Sequence, residues 1–468
     1  MIRVSIKDIP SGWSVKPSPS DDGRVPKHEQ PEDVLARTTH IQKLIDAEGV
    51  VHLRDGVHVI GQLQLPSNSA IIGQSRQRTV GWAHNGLNAD LIVCKGHEAN
   101  KNNHASASRY DQSMHVGVEN ILLDGNEENN TAGSGMWLCA SDVRVHNVSV
   151  WGFPENGIVW ERAGKAGTPP NGWGGRGTEA PKSHFLDFRA QKCGNFGFYL
   201  LSGADAIVKD FSIGYCRKEG MYLNGGANEL SGHVWTCGLD TNDTEKIPAV
   251  RIRGYVTGDY LQVDANYGPG LIISGDGTQI GHVRAIANNK YKLHEKPGRG
   301  AEADVLLVSA SRVNIGILEG WLWPGRTGVA TTATSEGIQF NSVDLEGQTR
   351  FQVYNQRGAT WFESHYPGEP IPTEDVFTCE GIWNSAPATT IRGNFRRFNN
   401  AVTLSRWGTN QNGGVVDVTV RECNIGVTGR VNTGNRVQVT GEVATVGTLE
   451  NLVPVTGGTG NDIQTWEY

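Results

Sequence analysis

Asn156-Gly157-Ile158-Val159-Trp160, Phe196-Gly197-Phe198-Tyr199-Leu200 and Glu219-Gly220-Met221-Tyr222-Leu223 are copies of one phrase, and Pro269-Gly270-Leu271-Ile272-Ile273 is a later one. Each joins a turn residue to a glycine and then to three or more apolar or aromatic residues. Gly197 and Gly220 lie 23 residues apart, as do Ile207 and Leu230, and Cys193 and Cys216, with Cys237 21 further on. The apolar pieces are too short for helices and rich in Val, Ile, Phe and Tyr, so they read as strands. Strands repeating at this period mark a stacked solenoid, because one coil cannot bury its apolar face alone. The cysteines then fall at equivalent positions of successive coils, a column of small interior groups.

The whole chain agrees with that reading. It has 468 residues, 60 of them Gly, only 4 Met, and 37% hydrophobic residues. A solenoid can use this length as one body, and Gly-rich composition suits many short strands joined by tight turns. The net charge is -7 and no basic block occurs, so nucleic acid is not an expected partner. Seven cysteines without a CxxC pair argue for free thiols and a reducing site of folding. Met1-Ile2-Arg3-Val4-Ser5-Ile6-Lys7-Asp8 holds no apolar core of signal-peptide length, so release by lysis is the expected route out of a cell. No run of about 18 apolar residues occurs, so no membrane helix is expected.

Working outward, residues 1–37 are polar and proline-bearing and read as an extended arm or adaptor. The pattern predicts a short helix capped by Thr39 and running through Glu48, with Ile41, Leu44 and Ile45 on one face and Gly49 at the stop. Short strands follow at Val50 to Leu53, Gly56 to Val59, Leu63 to Leu65 and Ala70 to Gly73. A helix at this place would cover the open end of a strand stack. The order of helix, Gly and short strands, with Leu53-Arg54-Asp55-Gly56 at the first turn and Leu122-Leu123-Asp124-Gly125-Asn126 further on, resembles the pectate-lyase-like right-handed parallel β-helix superfamily. The resemblance covers residues 38–445 and implies an all-β, single-chain right-handed parallel β-helix with a capping helix and loop insertions. Residues 446–468 are left as a tail or cap. A β-helix of this length with a short arm is similar to bacteriophage tailspike and tail-fibre proteins. That likeness implies a homotrimer in the virion, joined to other tail proteins through the arm, that binds a host surface polysaccharide.

Strand side chains alternate, so if the residue after each Gly points inward, the outward set along the face can be named. It holds Val159 and Glu161, Tyr199 and Leu201, Tyr222 and Asn224, Arg251 and Arg253, Ile272 and Ser274, and Gln339 and Asn341. Tyrosine offers a ring face and a phenol to a sugar, and arginine pairs with carboxylates two-pronged. Tyr199, Asn224, Gln339 and Asn341 are therefore expected to bind a glycan. For elimination on a uronate, Arg251 or Arg253 would neutralise the carboxylate and Tyr222 or Tyr199 would take the proton. Hydrolysis would need two acids; Glu161, Asp210, Glu219, Asp240, Asp264, Glu319 and Asp344 are candidates, and no local spacing selects a pair. Several lyases and epimerases of this fold carry an Asp-Pro-His-Glu-like phrase. Ile158-Val159-Trp160-Glu161 stands in its place here, without the Asp and the His.

No cofactor is expected. His97, His104 and His115 share one polar loop but lack zinc spacing. Asp124, Asn126, Glu127 and Glu128 offer hard oxygens suited to calcium and also make an ordinary solvated turn. Gly457 to Asp462 matches part of one calcium-binding nonapeptide, once, and reads as a turn. The alternatives to a glycan-depolymerising tail protein are a non-catalytic adhesin or structural virion protein, and a free bacterial polysaccharide lyase.

Overall fold

The computed structural model describes residues 31–95, 113–161, 183–202, 206–242, 244–290, 303–322, 327–331, 335, 338–347, 379–384, 389–396, 398–404, 414–423, 425–430, 436–443, 455–456 and 462–466. The chain forms two compact units, Met1–Gly232 and His233–Tyr468. Most of the arm, His97 and His104, and Gly457 to Gly460 lie outside the described residues.

Each unit is built from coils of a parallel β-helix. The described strands pair in parallel, mostly short with short and long with long, and Met136–Trp151 serves both ladders, its first residues pairing with Ile92–Cys94 and Ile158–Glu161 and its later ones with Ser183–Gln191. In the first unit Ile158–Glu161, Phe198–Ser202 and Met221–Leu223 form one ladder, with Ile158, Phe198 and Met221 in register. The long strands Met136–Trp151, Ser183–Gln191 and Ala206–Gly214 form the other. The residue after each phrase glycine does point inward: Ile158, Phe198, Met221 and Leu271 are fully buried. The glycines are there because rungs touch. A Cβ on Gly157 would lie 2.5 Å from Gly197 O, and one on Gly197 would lie 2.3 Å from Ile213 Cγ2, closer than atoms can pack.

The long strands share a bend, and Ser113–Asp124 and Met136–Trp151 each carry one further left-handed residue, His115 and Asp142. Asn120, Asn147, Asp187 and Asp210 have φ of 54°, 53°, 46° and 56° and occupy matching positions of successive rungs. Asn and Asp tolerate this left-handed conformation better than other residues with a Cβ, which explains why they recur at the corner. Inside the coil Trp160, Phe185, Phe198, Phe188 and Phe211 form a chain of aromatic contacts, with centroids 5.1–5.8 Å apart at successive steps. The thiol column repeats one local geometry: Cys193, Cys216 and Cys237 each direct Sγ to the carbonyl two residues earlier, at 3.7, 3.7 and 3.4 Å. All seven cysteines are buried and none is in a disulfide.

The helix is longer than the Thr39 cap implied. It spans Pro31–Glu48, with Glu32 and Asp33 in its first turn, where proline and acids favour a helix start. Thr39 is exposed in its interior. Ile41 and Ile45 are fully buried, and Gly49 ends the helix at φ +77°, donating its N–H to Ile45 O at 2.9 Å. In the second unit Asn266, Asn288 and Asp304 form a buried polar ladder. Asn266 Nδ2 donates to Asn288 Oδ1 at 2.7 Å and Asn288 Nδ2 to Asp304 Oδ2 at 3.3 Å, so these interior amides are satisfied. Parallel pairing also reaches the last described strands: Gly429 pairs with Val455 and Arg436 with Asp462.

Candidate functional site

The short-strand ladder of the first unit carries an outward column of Val93, Trp137, Val159, Tyr199 and Tyr222 in continuous register. Alternation makes them outward, yet Val93, Trp137 and Val159 are buried. Of these five only the two tyrosines are partly open. They stack with centroids 5.1 Å apart and 9° between planes, and Phe196 leans on both at 4.6 and 5.7 Å. Each tyrosine covers one face of the other. The pair therefore does not offer the two free ring faces that alternation alone suggested. Asn224 is exposed at the end of the strand, and its Nδ2 donates to Leu201 O at 3.1 Å.

Glu161 differs from its expected place on an open face. It is 7% exposed, in register with Cys139. Its Oε2 accepts from Trp137 Nε1 at 3.4 Å and Cys139 Sγ at 3.5 Å. The cause is Trp137, whose indole on the preceding rung reaches the carboxylate. Burial, followed by the Glu161 carboxylate, pushes the Cys139 thiol well above its ordinary value. No local feature of the Trp137-Leu138-Cys139 stretch signalled this contact.

In the second unit Arg251, Ile272, Leu306, Ala330 and Trp383 make the corresponding outward column. Ile272, Ala330 and Trp383 are buried, Arg251 is half-buried and Arg253 exposed. Gln339 and Asn341 do not belong to this face. Their Gly337-Ile338-Gln339-Phe340 phrase opens the long strand Gln339–Gly347, so both lie on the other ladder, where Asn341 Nδ2 donates to Asn314 Oδ1 at 2.9 Å.

The candidate acids separate as well. Glu219 is buried, Asp210 is a left-handed corner, and Asp240 lies in a turn. Glu319 and Asp344 are register partners on neighbouring long strands, a pairing across 25 residues of sequence that spacing does not reveal. His115 contacts Asp142 through Nδ1. The Asp124 turn is closed by its own bonds, Asp124 Oδ1 accepting from Asn126 N at 2.9 Å, while Asn126 Nδ2 donates to Ala83 O at 3.0 Å. Among the described residues no three His, Cys, Asp or Glu side chains gather for a metal, and no helix is long and apolar enough to cross a membrane.

No family model matches the chain, and no curated protein matches it. The chain has a partial likeness to several solved structures. The A-module of the Azotobacter vinelandii mannuronan C-5 epimerase AlgE4 is 15% identical, over 67% of this chain and 91% of that one, with a TM-score of 0.43. The pre-mature bacteriophage phi29 gene product 12 is 12% identical over 92% of this chain and 55% of that one, at 0.46. The tailspike protein gp49 of Acinetobacter baumannii bacteriophage Fri1, a capsular polysaccharide depolymerase, is 13% identical over 92% and 59%, at 0.32. This chain spans little more than half the length of those two phage proteins.

Proposed function

We propose that this parallel β-helix is a polysaccharide-binding protein of tailspike type, acting on a host cell surface. The observation that carries the proposal is the Tyr199–Tyr222 stack, partly open where Val93, Trp137 and Val159 of the same outward column are buried. Two phenol groups one rung apart, about 4.8 Å along the stack, suit the hydroxyls of consecutive sugars in an extended chain. Phe196 holds both rings in place, so little side-chain freedom is lost on binding. Asn224 adds an amide beside them. In the second unit, on a column of its own, Arg251 and Arg253 carry positive charge of the kind that suits an acidic glycan. Trimeric assembly, a place in the virion tail and docking through the N-terminal arm belong to the same proposal and rest on the sequence resemblance.

The test is a panel of surface polysaccharides, neutral and acidic, offered to the immobilised full chain. Retention of at least one, lost in a Tyr199→Ala/Tyr222→Ala variant that melts as the wild type does, is the expected result. A panel on which wild type and variant behave alike would remove the tyrosine face from the reading. The same reactions assay catalysis: new reducing ends report hydrolysis, ultraviolet absorbance of an unsaturated uronate reports elimination, and neither leaves an adhesin.

A further inference from the structure

On the long-strand ladder of the second unit, a different set of side chains converges on the outward face. Val256–Asp264, Gln279–Ile286 and Asn314–Leu322 are neighbours in register. Alternation sends Leu261, Val263, Val283, Ala285 and Leu318 into the core, and Tyr260, Gln262, His282, Arg284, Ile317 and Glu319 outward. Tyr260 is pinned at both ends: its Oη donates to Gln262 Oε1 at 2.7 Å, and its ring meets His282 edge to face at 5.2 Å. Glu319 stands between two donors, with Oε2 3.3 Å from His282 Nε2 and Oε1 3.3 Å from Arg284 Nε. Neither contact reaches hydrogen-bond geometry, although both nitrogens are shielded from solvent. Ile317, in register with His282, is 45% exposed.

We propose that this face is a second sugar-binding site, and that it takes an uncharged hexose rather than a uronate. A pyranose offers an apolar C–H surface and several hydroxyls that both donate and accept. The face answers each: Ile317 and the Tyr260 ring for the apolar surface, and planar Arg284 and Glu319 groups for neighbouring hydroxyls. The charge balance decides the class. Arg284 is matched by Glu319, while Asp344 on the next rung and Asp264 on the same strand as Tyr260 add negative charge. His233, which faces Gln262, is held toward its neutral form by burial, against the pull of Asp264. On these strands and on Gln339–Gly347, Arg284 is the one Lys or Arg side chain, and Glu319 already faces it. This site stands independently of the tyrosine stack, which lies on the other ladder of the first unit.

An array of uncharged and uronate oligosaccharides separates the outcomes. We expect the full chain to retain uncharged hexose oligomers. Glu319→Gln and Tyr260→Ala should each weaken that retention about tenfold, and Tyr199→Ala/Tyr222→Ala should leave it unchanged. Thermal melting of each variant checks folding, and Arg284→Lys, which keeps the charge but loses the planar fork, should also weaken retention. The proposal is overturned if no uncharged oligomer is retained. It is equally overturned if retention survives Glu319→Gln and Arg284→Lys, or if it falls only with the tyrosine pair. Loss of acidic-glycan binding in the tyrosine variant, with this site intact, would test the first reading separately.

Discussion

Tyr199 and Tyr222 are 23 residues apart in sequence and face to face in space, 5.1 Å between centroids and 9° between planes. Parallel pairing of Phe198 with Met221 and of Leu200 with Leu223 sets the two residues between them side by side on adjacent rungs.

Removing one ring should therefore be felt in stability as well as in binding. Tyr222→Ala is expected to lose roughly 0.5–1.5 kcal/mol of ring stacking beyond the area buried. Tyr222→Phe keeps the stack and loses only the phenol. A denaturation curve close to wild type for Phe, with polysaccharide retention reduced in both variants, is the expected pattern. Unreduced retention in Phe would show that the phenol does not contact sugar.

Gly197 is the tightest point of the recurring phrase. Gly197→Ala sets a Cβ 2.3 Å from Ile213 Cγ2 and 2.8 Å from Gly220 O, and such overpacking costs about 1–3 kcal/mol. Urea denaturation should show a lower midpoint. An unchanged midpoint would mean that the rungs part easily.

At the corner, Asn147 sits at φ 53° and its Nδ2 donates to Asn120 Oδ1 at 2.7 Å. Asn147→Val should destabilise by about 1–2 kcal/mol for the backbone conformation alone. Asn147→Gly should lose only the amide hydrogen bond. Equal losses in the two variants would place the cost in the side chain and not in the bend.

Asp276 is held at a pKa of about 2, chiefly by its hydrogen bond from Arg312 and then by that from Ser311. Arg312 Nε reaches Asp276 Oδ1 at 2.8 Å. A depressed carboxylate stabilises the folded form fully above its ordinary value, and that contribution fades as pH falls through about 2. A carboxyl NMR titration should give this midpoint in wild type and a higher one in Arg312→Gln. Identical midpoints would dissociate the pair.

The thiols provide a check on the interior column. Cys193 is pushed well above the ordinary thiol value, first by its contact with Cys216 and then by burial, so little thiolate exists near neutral pH. An alkylating reagent should label no cysteine of the described core at pH 8 until denaturant is added. Rapid labelling of Cys193 in the folded chain would contradict its burial.

The repeat was legible because a coil imposes a period on the chain. Gly157, Gly197 and Gly220, the thiols at Cys193, Cys216 and Cys237, and the inward Ile158, Phe198 and Met221 all announce it locally. Alternation also named Tyr199 and Tyr222 as neighbours on one outward column. It could not say which outward positions meet solvent, because that depends on what lies over the face: Val159, Glu161 and Ile272 point outward and are buried. Nor could it separate two ladders that use similar phrases, so Gln339 and Asn341 went to the wrong one. The convergence of Tyr260, His282, Arg284 and Glu319 exists only once separate strands are set in register. Periodicity is a property of neighbours along the chain, whereas exposure and convergence are properties of neighbours across it.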